Sequence, residues 1–227
     1  MLDTLDIETA PAPNAAIIWL HGLGADAHDF ETIVPALVAP GERAWRFVFP
    51  NAPVRPVTVN GGMPMRAWYD IKSLGRGTVI DPNADEDLAG FWDADARLRA
   101  LIARESAAGI PASRIVVGGF SQGGAVSLYS APRYPERLAG VLALSCYLPL
   151  AGRLSKERNA ANQATPIFMA HGDGDQVLPI SLGLSSRDWL SEQGFDVDWH
   201  AYAMAHSVCP AEVADIRAFL LRVLPVL

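Results

Sequence analysis

The sequence predicts a single α/β domain with a mainly parallel central sheet and helices on both faces. Three observations carry this expectation. Continuous apolar runs recur at residues 16–20, 45–49, 114–120, 140–144 and 166–170, and an unbroken apolar run marks a strand covered on both faces, as in parallel sheets. Segments with helical apolar spacing lie between them, and such alternation builds a parallel sheet flanked by helices. The chain has 227 residues, half of them hydrophobic, enough for one sizeable core and ordinary for one domain spanning residues 1–227.

Each element can be justified in order. Residues 10–14, Ala-Pro-Ala-Pro-Asn, are too short to separate domains and read as a hairpin-like turn. Residues 29–38 carry Phe30, Ile33, Val34 and Leu37 at helical spacing. Residues 51–82 form a long irregular stretch rich in Gly and Pro, holding Met63, Met65, Trp68 and Tyr69. Long irregular loops in compact domains are usually functional. Its apolar residues would line a substrate groove, or Trp68 and Tyr69 would simply anchor the loop to the core.

Residues 85–108 carry Leu88, Phe91, Trp92, Leu98, Leu101 and Ile102, with Asp and Glu crowding the first turns, as the helix dipole favours. Gly109 supplies a stop. Helices are also expected over residues 125–134, over 182–193 before Gly194, and over 210–224 from Pro210. Residues 197–202 alternate and suit an edge strand.

Composition excludes several functions. A net charge of −7 argues against non-specific binding to nucleic acid, which needs a basic face. The two cysteines, Cys146 and Cys209, suggest free thiols rather than a disulfide framework. No apolar run approaches a membrane span, and the acidic start lacks the basic and apolar regions of a signal peptide. A cytoplasmic location without integral membrane association is the expectation.

The chemistry is concentrated in Gly119-Phe120-Ser121-Gln122-Gly123-Gly124. A strand pattern precedes it and a helix pattern follows. A serine on a tight strand-to-helix turn, with glycine two residues either side, is a nucleophile elbow. A serine hydroxyl is a poor nucleophile at neutral pH and needs a base oriented by an acid. In the α/β-hydrolase arrangement the chain order is serine, acid, histidine, each at a strand end.

Residues 169–179 contain two candidate acids, Asp173 and Asp175. Asp175 lies deeper in the loop, while Asp173 suits a turn; chemistry favours Asp175 only modestly. Of five histidines, His200 and His206 alone follow the acid. His200 lies within the alternating strand pattern. His206 lies in the loop between the last strand and last helix, where a base belongs.

The oxyanion needs backbone donors. One is the N–H of Gln122. The other is expected from His21-Gly22-Leu23-Gly24, which follows the first apolar run, with Leu23 as donor and His21 orienting the loop. No metal-ligand spacing, P-loop or G-x-G-x-x-G after a strand is present, so neither a metal nor another cofactor is expected.

These motifs together resemble those of the acyl-protein thioesterase/carboxylesterase (phospholipase-carboxylesterase) family. The resemblance rests on residues 20–24, 50–58, 67–70, 119–124, 171–175 and 206–207, and extends over residues 15–221. It is nearest to the bacterial members usually called carboxylesterases. It implies Ser121 as nucleophile, Asp175 as acid and His206 as base, settles Asp175 over Asp173, and matches Leu23 and Gln122 to the oxyanion positions. Many relatives have glycine where this chain has Ala205. Eukaryotic relatives often carry an N-terminal cysteine for lipid attachment, which is absent here.

The expected function is therefore a serine carboxylesterase acting on a small-molecule acyl ester or thioester through an acyl-enzyme. Acyl-protein thioesterase and lysophospholipase activities share the same triad and are the alternatives. A non-catalytic binding protein on the same fold is the rival of another class. Met65, Trp68 and the apolar stretch around Leu148 are the expected acyl contacts. Apolar residues near the 51–82 loop would suit a homodimer, which the sequence leaves open.

Overall fold

A computed structural model describes residues 2–72 and 87–226. Its centre is a seven-stranded sheet: β1 (Thr4–Glu8), β2 (Ala15–Leu20), β3 (Trp45–Pro50), β6 (Ile115–Phe120), β7 (Gly140–Leu144), β8 (Ile167–Gly172) and β9 (Val197–Tyr202), in the order β1-β3-β2-β6-β7-β8-β9. All neighbours are parallel except β1, which runs antiparallel to β3. The expected α/β class holds, and β9 takes the expected edge.

The apolar runs explain the sheet. In β2 every residue is buried. Ala16, Ile18 and Leu20 enter one core, while Ala15, Ile17 and Trp19 enter the other. Alternate side chains of a strand point to opposite faces, so a run without polar breaks requires a cover on each. The helices α2 (Leu88–Ala107) and α3 (Gln122–Ser130) contribute to the first core, and α6 (Pro210–Val223) to the second.

Several expectations shift. The helix expected over residues 29–38 reduces to a 3₁₀ turn, Glu31–Ile33, and a short α1, Val34–Leu37; Pro35 near its start removes a backbone donor. Residues 10–14 do not close a hairpin, because β1 pairs with β3 and not with β2. The irregular stretch contains an antiparallel hairpin, β4 (Val54–Val57) with β5 (Met63–Arg66). A short α4 (Ala151–Glu157) precedes β8, and α5 (Ile180–Glu192) follows it. Residues 73–82 of the stretch, and Asp85 and Glu86 of the expected helix start, lie outside the described residues. Asp87 caps α2, its Oδ1 accepting from Gly90 N–H at 3.0 Å.

This topology positions the site. From β2 the chain moves outward to β3, then returns to place β6 on the other side of β2. Crevices open at such a switch point, beyond the carboxyl ends of the strands. The loop after β2 and the turn after β6 meet there.

Candidate active site

Ser121 occupies the turn between β6 and α3, half-buried, with φ 54° and ψ −118°. Such a conformation costs a non-glycine residue about 1–3 kcal/mol and persists only where its surroundings enforce it. Here Ser121 N–H donates to Leu144 O at 2.8 Å, and Ser121 O accepts from Ala125 N–H at 3.0 Å. Gly119 and Gly123 complete the enforcement. A Cβ on either would strike the Leu20 carbonyl oxygen, so only glycine lets β6 and α3 close against the end of β2.

Asp175 follows β8 and is 6% exposed. Its Oδ1 accepts from the N–H groups of Val177 at 2.9 Å and Leu178 at 2.8 Å. Its Oδ2 accepts from His206 Nδ1 at 2.6 Å. A carboxylate only accepts, so Nδ1 carries a proton, and in the neutral ring Nε2 is the nitrogen free to accept. Asp173 is exposed and uses its backbone N–H on Tyr202 O. The geometry therefore brings Asp175, and not Asp173, to His206.

The His206 ring packs on Phe120, the residue before Ser121, with centroids 4.7 Å apart. Asp175 and His206 are joined directly, and His206 is brought to the elbow through Phe120. The loop before His206 is braced by Gly174 N–H on Met204 O at 3.1 Å. Ala205, just before His206, is exposed. His200, the other histidine after the acid, stands on β9 between Phe168 and Tyr202, with Nε2 3.0 Å from Asp198.

His171 is a neighbour of Asp175 that sequence reasoning assigned no role. It lies next to the end of β8, fully buried; its Nε2–H donates to Leu178 O at 2.9 Å, and the same nitrogen lies 3.5 Å from Asp175 Oδ2. Burial holds its pKa below the ordinary value, partly offset by the Leu178 carbonyl and Asp175. Its place in the His-Gly-x-Gly-Asp run was the available signal.

The loop after β2 lies against the elbow: a Cβ on Gly22 would come 3.5 Å from Ser121 Cβ. Gly24 turns the loop with φ 79°, and its N–H donates to Arg66 O at 2.8 Å. Leu23 is half-buried between them. His21 Nδ1–H donates to Gly22 O at 2.7 Å, and its Nε2 accepts from Ala52 N–H at 3.0 Å. Acceptance at Nε2 requires the neutral ring, and burial lowers its pKa accordingly. Gln122 is the first residue of α3, where leading N–H groups have no intrahelical acceptor.

The phospholipase/carboxylesterase family model matches residues 6–224. The chain belongs to this family. A curated relative named acyl-protein thioesterase 1 from Yarrowia lipolytica is 41% identical over 94% of each chain. Another of that name from Mycosarcoma maydis is 39% identical over 94% of this chain and 92% of the relative. The solved structure of Zea mays acyl-protein thioesterase 2 is 29% identical, with a TM-score of 0.85, over 99% of this chain and 100% of that one. Arabidopsis thaliana SOBER1 is 30% identical, with a TM-score of 0.83, over 92% and 99%. As a member of this family, the protein is a hydrolase of the ester/thioester class.

The three expected acyl contacts of this family member are placed unequally. Met65 is half-buried, close to the Gly24 turn, with Asn60 Nδ2 3.3 Å from its sulfur. Trp68 is 1% exposed and donates its indole N–H to His21 O at 2.9 Å. That placement matches the anchoring alternative for Trp68 rather than an open groove. Leu148 is also 1% exposed, its backbone N–H donating to Ser186 Oγ at 2.8 Å. Among the described residues, no group of three or more His, Cys, Asp or Glu is gathered as metal ligands, and no helix is long and apolar enough to cross a membrane.

Proposed function

We propose that this protein hydrolyses acyl thioesters, in the manner of an acyl-protein thioesterase, through an acyl-enzyme on Ser121. The observation that carries the reading is the 2.6 Å contact between His206 and Asp175, packed through Phe120 against a strained serine elbow. The curated relatives at about 40% identity bear the thioesterase name. They favour this reading over the simple carboxylesterase that motif resemblance suggested.

Ser121 Oγ attacks the acyl carbonyl carbon while His206 Nε2 takes its proton. Asp175 stabilises the resulting imidazolium and fixes its ring. The backbone N–H groups of Leu23 and Gln122 hold the oxyanion; such a donor is worth roughly 10²–10³ in kcat. The tetrahedral intermediate collapses, the carbon–sulfur bond breaks, and the thiol departs with the proton from His206. Water, deprotonated by the same histidine, attacks the acyl-serine carbonyl and releases the acid and Ser121. A thiol ionises near pH 8.5, far below an alcohol, so it leaves more readily than an alkoxide. The first collapse therefore depends less on proton donation for thioesters than for oxoesters.

The test is a matched series of S-acyl-cysteine peptides and O-acyl-serine peptides, from acetyl to palmitoyl, with wild type and Ser121→Ala. The reading expects higher kcat/KM on the thioester of each pair, lost in Ser121→Ala. Preference for short oxoesters would return the protein to a carboxylesterase. Folded protein inactive on both series would favour a non-catalytic binding role.

A further inference from the structure

The proposed oxyanion donors, Leu23 and Gln122, lie on separate elements, one beyond β2 and one opening α3. Strand pairing brings β2 and β6 together only as far as Leu20 opposite Gly119. Beyond that point strand pairing no longer sets the separation. The Gln122 carboxamide reaches the segment after β5: Oε1 accepts from Trp68 N–H at 2.7 Å, and Nε2 donates to Tyr69 O at 2.8 Å. Those partners fix the amide orientation, since a flipped amide would set donor against donor. Trp68 passes the constraint on. Its indole N–H donates to His21 O at 2.9 Å, and its ring lies 5.3 Å from the His21 ring. The imidazole then holds Gly22 O and Ala52 N–H. Gln122, Trp68 and His21 are 3%, 1% and 2% exposed, so each bond is shielded from water.

We infer that the Gln122 carboxamide and the Trp68 indole are positioning residues, a buried strap that fixes the Leu23 and Gln122 N–H groups relative to each other. This rests on the oxyanion assignment made above. The strap matters to rate because oxyanion donors work only when preorganised at hydrogen-bond distance from the transition-state oxygen. Displacement of about 1 Å costs roughly 10²-fold. A satisfied buried network is rigid, and it loses that rigidity when one member is removed.

Two variants test the strap. Trp68→Phe removes the indole N–H and keeps an aromatic ring. Gln122→Met removes both carboxamide bonds, keeps the volume and leaves the backbone N–H in place. Rates are normalised to active sites titrated with a fluorophosphonate, so unfolded material does not count. In each variant kcat should fall about 10- to 100-fold while KM moves much less. Affinity for an alkyl boronic acid, which forms a tetrahedral adduct, should fall by a similar factor. The His206 limb of the pH–rate profile should stay in place, because the contact with Asp175 is untouched. A role confined to folding would lower melting temperature and titratable sites but leave kcat per site and boronate affinity at wild-type values, and that result overturns the strap. Should Trp68→Phe fail to fold, Gln122→Met decides alone. Ser121→Ala in the same series keeps the two claims apart. Undiminished turnover there sinks the serine mechanism itself. Loss there, with wild-type kcat per site in both strap variants, sinks only the strap.

Discussion

His206 Nδ1 donates to Asp175 Oδ2 at 2.6 Å, and the other carboxylate oxygen is held by two backbone N–H groups. Asp175 is thus fixed on both sides, and in the proposed mechanism its orientation dictates which imidazole nitrogen is left to act as base. Asp175→Asn would keep the shape of the site but present an amide in place of the acceptor, favouring the wrong tautomer. The expected loss is on the order of 10⁴ in kcat with a small change in KM. Steady-state kinetics on titrated sites checks it; a loss below about tenfold would remove Asp175 from the triad.

His171 sits beneath that pair and is held neutral by burial. In the unfolded chain a histidine takes a proton near pH 6.5, whereas folded His171 resists until lower pH. Between those points the unfolded state binds more protons, so this residue's contribution to stability falls as pH drops below about 6.5. Urea unfolding of His171→Gln and wild type at pH 7.5 and 5.5 checks the sign. The variant should lose less stability than wild type over that step, and an equal loss would contradict the account.

Glu212 gives the opposite slope. It opens the first turn of α6, its side chain is fully buried, and its pKa is pushed up to about 8 by burial, partly offset by the Cys209 backbone. The unfolded carboxyl ionises near pH 4.3, so the folded state holds the extra proton from there to about pH 8. Stability attributable to this group is therefore full below the lower value and declines as pH rises through that window. Glu212→Gln, which cannot ionise, should show a smaller drop in urea midpoint between pH 5 and pH 8.5 than wild type. The same drop in both proteins would refute this.

Gly123→Ala should be severe. The new methyl group would strike the Leu20 and His21 carbonyl oxygens, and both belong to backbone that cannot rotate away. A loss of about 3 kcal/mol or more, or failure to accumulate folded protein, is expected. Gly61, with open space around its Cβ position, serves as a control in chemical denaturation: Gly61→Ala has no clash, and only its φ of 67° adds strain. Comparable losses at both sites would mean the elbow is looser than described.

The parts legible in the sequence are those whose signals are local. The β6–elbow–α3 unit announces itself because strand, glycines, serine and helix are contiguous, and β2 because burial on two faces leaves no polar gap. What escaped depends on distant partners. Strand β1 is acidic and half-exposed and exists because β3 pairs with it. The β4–β5 hairpin carries Pro56 and Pro64 opposite one another, residues that disguise a strand. The links from Gln122 to Trp68 and from Trp68 to His21 span 54 and 47 residues, so the anchoring of Trp68 could be weighed from the sequence but not decided.

The most direct test of the central claim is to trap the acyl-enzyme. Protein mixed with a palmitoyl or octanoyl thioester is quenched in acid within the first turnover, digested and mapped by mass spectrometry. The account predicts one acyl group per chain, esterified to Ser121, absent in Ser121→Ala and slow to form in His206→Ala. Turnover without any adduct on Ser121, or an adduct on another residue that persists in Ser121→Ala, would contradict it.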